Sequence, residues 1–197
     1  MADIHGARPL VVGIGGTTVD GSSTQRALAI ALRAAAEQGV DTKLFGGDQL
    51  AALPLYTPGV DRQEGEMALV DAVRQASGLI IASPGYHGSI SGLVKNAIDL
   101  LEETARDVRV YLTDVPVGII ATAYGWQATG STVSAVRSIV HALRGWPTPF
   151  AAAINSAQCK FDGEGGCGDP DAANQLALVG RQVAAAAIRD HRTRIAA

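Results

Sequence analysis

Three short segments of the 197-residue sequence concentrate the residue types that can hold a ligand. The first, Gly13-Ile14-Gly15-Gly16-Thr17-Thr18-Val19-Asp20-Gly21-Ser22-Ser23-Thr24, follows an apolar run and leads into a helical pattern. Glycines permit close backbone approach and a helix start presents unpaired N–H groups. Around them crowd the hydroxyls of Thr17, Thr18, Ser22, Ser23 and Thr24, a combination that suits a phosphate. The plainer reading is a tight turn capped by Ser22 or Ser23, but a cap needs one hydroxyl and this turn supplies five. The dinucleotide fingerprint G-x-G-x-x-G could begin at Gly13 and meets Thr18 where its third glycine belongs. The P-loop spacing from Gly16 to Gly21 meets Ser22 where a lysine must reach the outer phosphates. A lysine-free, hydroxyl-rich cradle fits the single terminal phosphate of a mononucleotide such as FMN.

The second segment runs from Ala82 to Asp99 and carries Pro84-Gly85-Tyr86-His87-Gly88 ahead of an amphipathic stretch. Such a turn can lay peptide N–H groups against a planar ring while Tyr86 packs beside it. His87 is a ligand contact, a proton donor or a histidine in water; no carboxylate is placed to orient it, which favours contact through backbone over a general acid. In the third segment, Thr122-Ala123-Tyr124-Gly125-Trp126-Gln127-Ala128-Thr129-Gly130-Ser131, the two aromatics can stack on a flavin or nicotinamide or fill a subunit interface. No G-x-S-x-G elbow or H-E-x-x-H is present, and Gly88-Ser89-Ile90-Ser91-Gly92 has Ile90 at its centre. Cys159 and Cys167 have no histidine nearby to complete a metal set and lack C-x-x-C spacing. Neither a catalytic side chain nor a metal ligand is therefore assigned.

These segments need elements to position them. Uninterrupted apolar runs at Leu10–Ile14, Leu79–Ala82, Val115–Ala121 and Phe150–Ile154 read as strands buried on both faces, with Thr42–Phe45 a weaker peripheral one. Between them, helical spacing marks Ser23–Gln38, Glu64–Gln75, Gly92–Glu103 and Ser131–Leu143, and a last helix spans Asp171–Arg189 behind Pro170. Alternating strands and helices imply a parallel sheet covered on both faces, an α/β three-layer sandwich. In such sheets the ligand crevice lies beyond the carboxyl ends of the strands, where the three segments fall.

The length suits one domain over 1–197, without repeats or linkers. A net charge of −3 argues against nucleic acid or an anionic membrane surface as partner. No apolar run approaches a membrane span, and Met1 to Arg8 lacks the cationic and apolar parts of a signal peptide. The expected compartment is the cytoplasm, with both thiols free. The acidic, Gly-rich stretch from Phe161 to Pro170 reads as a surface connection.

The stretch from Pro84 to Asp99 resembles the P-x-Y-x-x-x-x-x-G-x-[LV]-K-N-x-[IL]-D signature of the NADPH-dependent FMN reductase family, and the likeness extends from the first loop to about Asn155. The resemblance implies a flavodoxin-like fold with a five-stranded parallel sheet in the order 2-1-3-4-5. It implies that Gly16, Thr17, Thr18, Ser22, Ser23 and Thr24 hold the FMN phosphate. Pro84, Gly85, Tyr86, His87 and Gly88, with Thr122, Ala123, Tyr124 and Gly125, would line the flavin. One departure stands out: family members commonly carry an arginine where Thr18 lies, leaving Arg26 as the nearest cation. The implied activity is hydride transfer from NADPH or NADH to FMN, with reduced flavin passed to a partner monooxygenase. An FMN-containing reductase of quinones, azo compounds or metal oxyanions is the alternative. A flavodoxin-type electron carrier is the reading from another class, and the mild charge disfavours it. The family also implies a homodimer or homotetramer, with Gly92–Glu103 and the helix after Gly130 as candidate contact surfaces.

Overall fold

From Val11 to Gly15 every residue of the first strand is buried, as a run without polar alternation requires. A computed structural model, describing residues 8–162 and 166–196, places this strand inside a sheet. The elements in order are β1 (Leu10–Gly15), α1 (Ser23–Ala36), β2 (Asp41–Phe45), α2 (Gly47–Ala51), α3 (Glu64–Gln75), β3 (Gly78–Tyr86), β4 (Ser89–Ile90) and α4 (Gly92–Asp99). A 3-10 turn over Leu100–Thr104 continues α4, followed by β5 (Pro116–Ala123), α5 (Trp126–Ala142), β6 (Trp146–Asn155) and α6 (Pro170–Ala196). Five strands pair in parallel in the order β2-β1-β3-β5-β6, which is the expected order once the short β4 is counted. The register sets Leu10 beside Asp41, Val11 beside Gly78 and Leu79 beside Val117.

Alternate residues of each strand feed two cores. Val11, Ile80 and Ile120 meet Leu28 of α1 and Val179 and Val183 of α6 on one face. Val12, Ile14, Leu79, Ile81 and Val117 meet Leu69 and Val73 of α3, Val94 of α4 and Val136 and Val140 of α5 on the other. Two-sided burial is the physical reason for the unbroken apolar runs.

Three of the departures from the sequence-based boundaries bear on the site and the sheet. β3 continues past Ala82 to Tyr86, where it pairs with β4 as an antiparallel hairpin, Tyr86 opposite Ser89. α5 begins at Trp126 rather than Ser131, so Gly130 lies within the helix and the third loop shrinks to Tyr124 and Gly125. β6 begins at Trp146, taking up Pro147 and Pro149 at the sheet edge, where a missing N–H is tolerated. The expectation about a leader at Met1–Ala7, and the part of the acidic connection at Gly163–Gly165, lie outside the described residues. Among the described residues no helix is long and apolar enough to cross a membrane.

Candidate active site

β1 ends in a glycine pair because nothing larger fits. A Cβ on Gly15 would collide with the carbonyl oxygen of Ala82 in β3, and one on Gly16, whose φ is +144°, would lie 2.6 Å from the nitrogen of Gly47. Gly47 is equally constrained, since its Cβ would strike the carbonyl of Thr17. The Gly46-Gly47 backbone therefore forms a wall against the first loop. Gln25 fastens it, its Oε1 accepting from the Gly47 N–H at 2.8 Å.

Beyond the wall the loop turns out to solvent. Thr17 Oγ1 accepts from the Val19 N–H at 3.1 Å, Thr18 is exposed, and Ser22 caps α1 by accepting from the Gln25 N–H at 3.3 Å. The Ser22 hydroxyl proton stays available to a ligand in this arrangement, and Ser23 is half-buried in the first turn beside it. Thr24 behaves differently. It is 2% exposed and its Oγ1 lies 2.6 Å from Oγ1 of Thr122, itself 3% exposed at the end of β5. The two hydroxyls satisfy one another beneath the loop, tying the first and third segments together.

The second segment is built as a hairpin. His87 and Gly88 both have positive φ, 51° and 85°, the backbone a two-residue turn needs to follow the twist of its strands. His87 is exposed at the tip. Ser83 Oγ donates to the Pro84 carbonyl at 2.9 Å and accepts from the Ser91 N–H at 3.0 Å, locking the hairpin base. Ser91 then caps α4 through the Val94 N–H at 3.2 Å. Gly85 packs on α5, where a Cβ would lie 2.7 Å from Thr132 Oγ1.

Together the two segments enclose an open cleft of about 120 Å³, lined by Gly16, Thr17, Thr18, Pro84, Tyr86, Ser91, Gly92 and Leu93. Five of these are sequence-assigned site residues. Ser91, Gly92 and Leu93 were missed as site residues, although a serine ahead of an amphipathic run is a capping signal. Gly85, His87, Gly88, Ser22, Ser23, Thr24, Thr122, Ala123, Tyr124 and Gly125 stand outside this lining. Ala123 is buried, while Tyr124 is 82% exposed and leads to exposed Trp126. Arg26 does not turn to the cleft: its Nη1 donates to the carbonyls of Phe161 and Asp162, each at 2.9 Å.

The signature asparagine has a structural duty. Asn96 Nδ2 donates to the Pro54 carbonyl at 2.9 Å and its Oδ1 accepts from the Tyr56 N–H at 2.7 Å, pinning the segment after α2 against α4. Arg62 completes the fastening, reaching Glu66 and Glu103 at 3.0 Å each and stacking over Tyr56.

The donor set fits FMN at the phosphate end: small residues, hydroxyls and a helix start where an anion is favoured. A segment of 102 residues is 33% identical to an FMN-dependent NADPH-azoreductase of Staphylococcus aureus, covering 51% of this chain and 50% of that protein. Another of 56 residues is 45% identical to a quinone reductase of Escherichia coli, covering 26% of this chain and 30% of the relative. The chain thus spans half or less of the length of these curated relatives. Among solved structures, it is similar to a flavoenzyme NAD(P)H:(acceptor) oxidoreductase from Paracoccus denitrificans, with TM-score 0.71 and 19% identity over 93% of this chain and 98% of that one. It is also similar to a WrbA-like flavodoxin from Agrobacterium tumefaciens, with TM-score 0.61 and 14% identity over 93% and 99%. The family model for NADPH-dependent FMN reductase matches residues 9–159, through both loops of the cleft, and the chain belongs to that family.

Proposed function

We propose that this protein is an NAD(P)H-dependent FMN reductase. The observation that carries the reading is the cleft between Gly16–Thr18 and the stretch from Pro84 to Leu93, set at the start of α4 and too small to engulf a cofactor. Ligand pockets usually run about 300–1,000 Å³, so a flavin across this site keeps one face open to a second reactant. FMN, when bound, supplies the relay of a hydride from nicotinamide to an acceptor. The protein supplies position. Gly16 allows backbone approach, the hydroxyls of Thr17, Thr18, Ser22 and Ser23 receive the phosphate, and the Thr24–Thr122 pair holds that loop to the sheet. Pro84 and Tyr86 offer an apolar edge to the ring, while Gly85, His87 and Gly88 set the height of the hairpin. Ala123, Tyr124 and Gly125 flank the far side, and no acid or base is required of the chain.

The reading extends to a cytoplasmic homodimer or homotetramer that passes reduced flavin to a monooxygenase. Exposed Val19, Tyr86, Tyr124 and Trp126 support covering of the flavin by another surface. The matched quinone reductase and azoreductase support the second reading, in which bound FMN reduces quinones or azo compounds. The deciding experiment follows NADPH and NADH absorbance with purified protein and free FMN, with and without a quinone. Oxidation with FMN alone supports the flavin reductase, oxidation only with quinone supports the alternative, and none under either condition sinks both.

A further inference from the structure

The mechanism above leaves two side chains unused, and the structure brings them together. Cys159, 3% exposed just after the turn that follows β6, has its Sγ 2.7 Å from Sγ of half-buried Cys167. Their approach is built by the backbone. Cys159 N–H donates to the Asn155 carbonyl, Gly168 N–H donates to the Lys160 carbonyl, both at 2.9 Å, and Phe161 and Cys167 form an antiparallel bridge. This folded strap is also the acceptor for Arg26, whose Nη1 takes the carbonyls of Phe161 and Asp162. The guanidinium packs on Gly21 of the phosphate loop, where a Cβ would lie 2.7 Å from Nη2. A continuous path of contacts therefore runs from the thiol pair through Arg26 to the loop.

We propose that Cys159 and Cys167 form a reversible disulfide that stiffens this strap and, through Arg26, tightens the hold of the loop on the FMN phosphate; the second half rests on the proposed function. The chemistry is thiol–disulfide exchange with a small-molecule disulfide. The more accessible Cys167, as thiolate, attacks one sulfur of the reagent, forming a mixed disulfide and releasing one thiol. Cys159 loses its proton to solvent and attacks the Cys167 sulfur, forming the internal disulfide and releasing the second thiol. The protein loses two hydrogens and two electrons, and the reagent gains both. Burial, reinforced by Cys167, holds the Cys159 thiol up at about 12, so Cys167 starts the exchange and the closing attack by Cys159 is the slow step.

The test uses the full-length chain, reduced or incubated with oxidised glutathione. Intact mass and peptide mapping read the disulfide, and titration with FMN and with riboflavin reads the coupling. The expected result is loss of two hydrogens with Cys159 linked to Cys167, and FMN binding about fivefold or more tighter when oxidised, the lower range of coupling between sites. Riboflavin, lacking the phosphate, is expected to bind equally in both states. Cys167→Ser removes both the mass change and the FMN response; Arg26→Gln keeps the disulfide and loses the response. Absence of the internal disulfide, or a disulfide that leaves FMN affinity unchanged, overturns the proposal. Failure of FMN to bind in either state, with the disulfide formed, refutes the flavin reading and the coupling together while leaving the thiol exchange established.

Discussion

Thr24 and Thr122 offer a direct separation of support from contact in the phosphate loop. Their hydroxyls are 2.6 Å apart and almost fully buried. Thr24→Val preserves shape and removes one hydroxyl, leaving the Thr122 hydroxyl buried without its partner, at a cost of about 1–3 kcal/mol. For a chain of this size that lowers Tm by about 2–12 °C. Thr122→Val has the same expected cost, while the double variant approaches the wild type, because replacing both partners by apolar groups is nearly neutral. The double-mutant cycle therefore gives a coupling of about 2–6 kcal/mol, the sum of the two single costs. FMN affinity, measured by fluorescence quenching with riboflavin as control, is expected to stay within about threefold of wild type, since the hydroxyl faces the sheet. A hydroxyl bonded to the phosphate would instead cost about 1.5–3 kcal/mol, or about 10–150-fold in Kd. The reasoning is refuted if Thr24→Val loses that much FMN affinity, leaves Tm unmoved and shows no coupling to Thr122→Val.

Three further outcomes follow from the same geometry. Thr18 is exposed on the cleft lining, so Thr18→Arg should strengthen FMN binding about tenfold through a charge-assisted bond, lose that gain at high salt and leave riboflavin unaffected. Arg62 is 7% exposed between Glu66, 1% exposed, and Glu103; Arg62→Met strands a buried carboxylate and should cost about 3–5 kcal/mol, lowering Tm by about 6–20 °C. Burial and then the neighbouring Cys167 sulfur raise the Cys159 thiol from an ordinary 9.0 to about 12. Because the folded protein holds that proton more tightly than the unfolded chain, this contribution is complete below about pH 9 and is lost as pH climbs toward 12. Melting of the reduced protein against pH should therefore decline more steeply in that window than melting of Cys159→Ser, and equal slopes would refute the assignment.

What the sequence reveals about this site follows from how local each constraint is. The unbroken runs at Val11–Ile14 and Leu79–Ala82 identify buried parallel strands because burial on both faces removes alternation, a property each strand carries alone. The glycine and hydroxyl loop is legible for the same reason, since close approach and helix capping act within a dozen residues. Pairings across the chain leave no such mark. Thr24 and Thr122 are 98 positions apart, and in sequence the first reads as a phosphate ligand and the second as part of the flavin lining; only packing of α1 over the end of β5 turns their hydroxyls toward each other. Arg26 has the charge of a phosphate partner, and its direction is decided by carbonyls 135 and 136 positions away. Spacing argued that Cys159 and Cys167 are no C-x-x-C pair, which is correct, yet an antiparallel bridge at Phe161 closes the eight-position gap that spacing leaves open. The Asn96 amide shows the limit from the other side. It stands in the most recognisable motif of the chain, but its two hydrogen bonds hold a segment some 40 positions upstream and touch no lining atom of the cleft. Motif strength therefore marks a residue the fold needs at the site, whereas the direction of its polar atoms decides whether it binds the ligand or holds the wall that does.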